Sequence, residues 1–70
     1  MTMPHERTRA LRWAGEFLHE VLDSGELSEA RRHEVIAILR HYPNAKEITH
    51  RARYGNNVTN NLPWLAPEEK

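Results

Sequence analysis

The sequence predicts an all-α fold: an antiparallel helical hairpin, a short third helix and an extended C-terminal tail. Two observations carry this. Apolar residues recur at helical spacing in three segments, and each segment is bracketed by residues that start and stop helices. In "MPHERTRALRWAGEFLHEVLDSG", Pro4 suits a first helical turn, Glu6 adds favourable charge there and Gly25 is a ready stop, so a first helix is predicted over about 4–23. Leu11, Ala14, Leu18, Val21 and Leu22 follow the spacing of a buried stripe, and Ala10, Trp13 and Phe17 widen it. The resulting apolar arc covers roughly half the circumference, against the ~100° that one partner helix needs. One neighbour cannot cover it.

In "LSEARRHEVIAILRHYPN", Ser28 is the expected N-cap, Glu29 sits in the first turn, and Tyr42 before Pro43 is a stop, giving a second helix over about 29–41. Val35, Ile38, Leu39 and Tyr42 form its expected inner face, with Ile36 beside it. The connection "SGELS" is short, so the two helices are expected to be antiparallel neighbours. Arg31 and Arg32 oppose the dipole of the second helix, which a hairpin would offset by placing them near Glu20, Asp23 and Glu26. "NAKE" reads as a capping box, Asn44 with Glu47, opening a third helix over about 45–54 with a thin stripe of Ala45, Ile48 and Ala52. Residues 1–55 thus form a helical domain.

Residues 56–70 are Asn-rich, twice interrupted by proline, and read as an extended tail. Leu62, Trp64 and Leu65 present apolar groups around Pro63 and Pro67, in a backbone that proline holds extended. Trp64 is expected to fold back as a lid over apolar surface left by the first two helices, of its own chain or a dimer mate. The competing expectation is a recognition motif that orders on a partner.

Composition bounds the possibilities. Seventy residues make one domain, and a chain this short buries only about 60% of the surface it exposes when unfolded. Cysteine is absent, so neither disulfides nor thiolate metal sites can supplement the core, and a homodimer is the expected remedy. No stretch is apolar for long enough to span a bilayer, and "MTMPHERTR" lacks the apolar run of a signal peptide, so a cytoplasmic protein is expected. Ten basic and ten acidic residues cancel, so no global attraction to phosphate backbones or anionic membranes arises.

Two segments, "MTMPHERTRAL" and "LRHYP" from Leu39 to Pro43, resemble a group of short bacterial proteins of uncharacterised function. The shared features are the Met-Thr-Met-Pro opening, the Glu6-Arg7-Thr8-Arg9 run, the "LRHYP" helix end and, in some members, a proline-bounded apolar tail like "LPWLAP". The similarity covers most of the chain. It implies a small soluble protein of a bacterium or its phage and transfers no activity.

Five histidines raise the question of metal or acid–base chemistry, and their spacings argue against it. His33 and His41 lie eight positions apart rather than at the i, i+4 spacing of a zinc-binding helix. Glu16 and His19 form one Glu-x-x-His, but the di-iron pattern needs inward-facing ligands from four helices. No nucleophile triad or glycine-rich phosphate loop is visible, so no catalytic residue, cofactor or metal is assigned and an enzyme is not expected.

The sequence instead favours a protein–protein interaction module, regulatory or inhibitory, acting as a homodimer. Leu11, Ala14, Phe17, Leu18 and Val21 are the expected core and dimer face. Arg7, Trp13, Tyr42, Tyr54 and Trp64 are the candidate contacts to an unidentified protein partner, because aromatic and arginine side chains dominate interface energetics. Tyr42 is expected to face the hairpin with its hydroxyl at the rim. Arg7, on the apolar side of its helix, either snorkels or forms an ion pair across an interface. Nucleic-acid binding through Lys46, His50, Arg51 and Arg53 beside Tyr54 is a weaker alternative, since the patch is small. A structural subunit of a larger assembly is the third.

Overall fold

The computed structural model describes residues 2–55, 58–59 and 62–68. The chain is all-α: α1 (Pro4–Ser24), α2 (Glu29–His41) and α3 (Ala45–Tyr54) are followed by two short strands, β1 (Val58–Thr59) and β2 (Leu62–Pro63). The strands pair antiparallel, Val58 opposite Pro63 and Thr59 opposite Leu62. Two-residue strands are too short for alternation to register in the sequence. The remainder of the Asn-rich linker, 56–57 and 60–61, and the Leu62 side chain lie outside the described residues.

Local chemistry explains each helix boundary. The Glu6 carboxylate accepts the Met3 N–H at 2.7 Å, which satisfies one of the orphan donors at the start of α1 and holds that carboxyl below its usual range. Gly25 ends α1 at φ 77°, a left-handed conformation that costs glycine little. Ser28 accepts from the Arg31 N–H at the start of α2. Tyr42, extended before Pro43, ends it. Asn44 and Glu47 complete a reciprocal capping box at 2.8 and 2.9 Å.

Both α2 and α3 pack on α1. Arg32 Nη1 donates to the Leu22 carbonyl at 3.2 Å, and the Tyr42 hydroxyl donates to the Leu11 carbonyl. The core is thin: Val35 from α2, Ile48 and Ala52 from α3 and Leu65 from the tail are its buried apolar residues, joined by Thr8 and Gly15 of α1.

Several side chains sit differently from the sequence expectation. Ala14 is exposed, and the inward line of α1 runs instead through Thr8, Leu11, Gly15, Leu18 and Leu22, with the leucines half-buried. That line keeps the three-four spacing of a packed stripe, but two of its members are not apolar, so hydrophobicity alone rotates the expected stripe towards Ala14 and Val21. Ile38 is 51% exposed rather than on the inner face of α2, and Ala45 is exposed at the start of α3. Arg31 pairs with Glu34 at 2.8 Å, and Arg32 uses the Leu22 carbonyl, so the offset to their dipole conflict comes from within α2 and from the α1 terminus rather than from Glu20, Asp23 or Glu26.

Candidate interaction surface

Turning α1 by one residue from its inward line brings a second apolar line into view. Ala10, Ala14, Phe17 and Val21 follow one another at spacings of four, three and four, with Trp13 alongside. Trp13 is 55% exposed and Phe17 63%; Ala10 and Ala14 are exposed and Val21 half-buried. Among the described residues, α2 and the tail leave Ala10, Trp13, Ala14 and Phe17 of this face exposed. The Arg9 guanidinium lies 5.6 Å from the Trp13 ring centroid, an arrangement in which the cation meets the ring electrons. Of the expected core and dimer residues, Leu11 and Leu18 thus belong to the inward line, whereas Ala14, Phe17 and Val21 share the second.

The other large feature is the tail, which crosses the N-terminal half of α1 as a strap. Leu65 is its buried member, at 5% exposure, whereas Trp64 keeps 46% of its surface in solvent. Within the single chain the tail does fold back on α1, but the burial expected of Trp64 is provided by the neighbouring leucine. Thr8, 1% exposed, donates its hydroxyl to the Ala66 carbonyl at 2.7 Å and accepts the Ala66 N–H at 3.2 Å. Both polar groups of Ala66 are thereby satisfied by one side chain. Arg7 Nη1 donates to the Trp64 carbonyl at 3.1 Å, so this cation holds the strap.

The strap ends in a fork. Arg12 donates Nε and Nη2 to the two Glu68 carboxylate oxygens, each at 2.9 Å, the bidentate geometry suited to guanidinium and carboxylate. Its Nη1 reaches Glu16 at 2.9 Å. Those hydrogen bonds hold Glu68 below the usual carboxylate range and raise the already high affinity of Arg12 for its proton. Arg9 Nε approaches Glu68 at 3.7 Å. The "ERTRALR" and "PWLAPE" segments are thus two halves of one contact, with Arg7, Thr8, Arg9 and Arg12 on one side and Trp64, Leu65, Ala66 and Glu68 on the other.

Tyr42 lies at the junction of α1 and α2. Its ring passes so close to Gly15 that a Cβ there would stand 2.8 Å from Cε2. The hydroxyl expected at the rim is instead spent on the Leu11 carbonyl. On α3, Lys46, His50, Arg53 and Tyr54 share the outward face around a shallow depression that also includes Ala45 and Thr49. His50 and Tyr54 place their ring centroids 5.0 Å apart at 55°, and Tyr54 is 69% exposed. Arg51 lies to one side, near Pro43, Lys46 and Glu47.

Sequence reasoning passed over Thr8, Gly15, Arg12, Leu65 and Glu68 as working residues. Signals existed for four of these. Thr8 and Gly15 complete the three-four spacing with Leu11, Leu18 and Leu22. Opposite charge in "ERTRALR" and "APEEK" was the signal for the fork. Among the described residues no group of three or more His, Asp or Glu could hold a metal ion, and no helix is long and apolar enough to cross a membrane. No family model, no curated protein and no solved structure matches this chain.

Proposed function

We propose that the chain is a protein–protein interaction module that works by presenting the outer face of α1, and that the first protein bound there is a second copy of itself. The observation carrying this reading is the exposure of Trp13 and Phe17 beside Ala10 and Ala14 on one helix face. Large aromatics left in solvent along a continuous line mark an association surface, whereas scattered single apolar residues do not. Regulation or inhibition of a larger protein by surface occupation belongs to the same reading, as does a cytoplasmic setting, and no chemistry is assigned. The antiparallel hairpin of α1 and α2 is part of it too. The bonds from Arg32 to Leu22 and from Tyr42 to Leu11 support α2 running back along α1.

Light scattering over a concentration series tests the proposal. Wild type is expected to reach twice the monomer mass in the micromolar range, and the Trp13→Ser, Phe17→Ser double variant to remain a monomer with unchanged helicity. A monomeric wild type at every concentration refutes it.

A second reading, nucleic-acid binding, is favoured by the gathering of Lys46, His50, Arg53 and Tyr54 on the outward face of α3. Affinity for generic duplex DNA that falls steeply with salt would support it, because each neutralised phosphate releases counterions. Helix charge placement offers a plainer origin, since basic residues in the last turn of α3 favour its dipole.

A further inference from the structure

The basic residues of α1, Arg7, Arg9 and Arg12, all lie in its N-terminal half, and beyond Glu6 in the first turn its acidic residues, Glu16, Glu20 and Asp23, lie in the C-terminal half. Arg9 and Glu20 are eleven residues apart, about three turns, so both border the same edge of the Trp13–Phe17 face. Each is accessible: the Arg9 side chain is 42% exposed, held by a long approach to Glu68 and by its place over the Trp13 ring, and Glu20 is exposed.

A two-fold axis relating antiparallel helices brings the same edge of both helices together with direction reversed. Arg9 of one copy then meets Glu20 of the other, twice, about an axis between Ala14 and Gly15. Trp13 lies across from the region of Phe17 in the second copy, and exposed Ala14 near the axis lets the helices approach. A parallel two-fold arrangement would set this edge against the opposite edge of the second helix, so Arg9 and Glu20 would lose each other as partners. Antiparallel packing also opposes the helix dipoles.

Resting on the self-association proposed above, we propose that a second copy docks antiparallel on the outer face of α1, its register set by reciprocal Arg9–Glu20 ion pairs. Sedimentation velocity on charge variants tests this, with helicity measured for each. Glu20→Arg, remote from the strap, is expected to weaken dimerisation roughly tenfold, because two exposed attractive pairs become repulsive. Because Arg9 also faces Glu68 and Trp13, Arg9→Glu is measured alone as well, and its combination with Glu20→Arg is expected to dimerise more tightly than either single variant. An unchanged Glu20→Arg variant, or a double variant no tighter than either single, overturns the register while leaving the dimer itself standing; a monomeric wild type removes both. Cysteine pairing supplies an independent check in a chain that has none of its own. Under oxidation Ala14→Cys is expected to cross-link to its symmetry mate. Ala10→Cys is not, since its mates would be about 13 Å apart along the axis, beyond the ~7 Å Cα separation a disulfide tolerates. Equal cross-linking at both positions overturns the antiparallel arrangement.

Discussion

Gly15 shows how much can depend on a missing side chain. In a helix interior glycine is about 1 kcal/mol less favourable than alanine, so substitution by alanine would ordinarily stabilise α1. Here the added methyl would enter the Tyr42 ring, which is fastened by its hydroxyl to the Leu11 carbonyl and cannot simply swing away. Overpacking of this kind costs about 1–3 kcal/mol. Gly15→Ala is therefore expected to lower stability by up to about 2 kcal/mol in the native background and to raise it by about 1 kcal/mol in Tyr42→Ala, where the ring is gone. Urea melts of the four proteins close the cycle, and an equal effect in both backgrounds would remove the ring contact as the cause. Nothing in a scan for apolar residues marks such a glycine. Its position between Leu11 and Leu18 at three-four spacing does, once small residues are admitted to the stripe.

At the scale of elements, helix ends were legible because capping is local: Pro4, Ser28, the Asn44–Glu47 box and the Tyr42–Pro43 stop act within a few residues of sequence. The docking of the tail was less so. Proline at 63 and 67 restricts the backbone of the strap without saying which of its apolar side chains turns inward, and that choice is made by Thr8 and Arg12, more than fifty residues away. The outcome separates neighbouring residues by experiment. Leu65→Ala is expected to cost about 2–5 kcal/mol as a buried truncation, and Trp64→Ala distinctly less despite the larger side chain. Thr8→Val keeps the shape but strands the N–H and carbonyl of Ala66, for a loss of about 1–3 kcal/mol. Thermal or urea unfolding of the three variants measures the order. A Trp64 loss exceeding that of Leu65 would mean that the indole, not the leucine, anchors the strap.

For the molecule as a whole, the over-wide apolar arc of the first helix was legible, and so was the marginal core, but not how the arc divides between two faces. The single chain is long and thin, 43 × 22 × 20 Å, with a radius of gyration of 14.2 Å where about 11 Å is usual for seventy residues. A rod with four buried apolar residues among those described has little interior of its own. Pairing along α1 would place Trp13 and Phe17 in a second interior, and folding would then be coupled to association. Mass action makes that coupling measurable: for a dimer that unfolds to separate chains, each tenfold rise in protein concentration favours the folded state by about 1.4 kcal/mol. Two seventy-residue chains unfolding together correspond to a Tm increase of about 3–6 °C per tenfold. Wild type is expected to show that slope in scanning calorimetry from the micromolar range upward. The Trp13→Ser, Phe17→Ser variant is expected to melt lower and at one temperature whatever its concentration, because the inward line through Thr8, Leu11, Gly15, Leu18 and Leu22 is left intact while the outer face no longer associates. A concentration-independent Tm for wild type would mean that the strap and the thin core suffice, and that Trp13 and Phe17 stay in water while the chain folds.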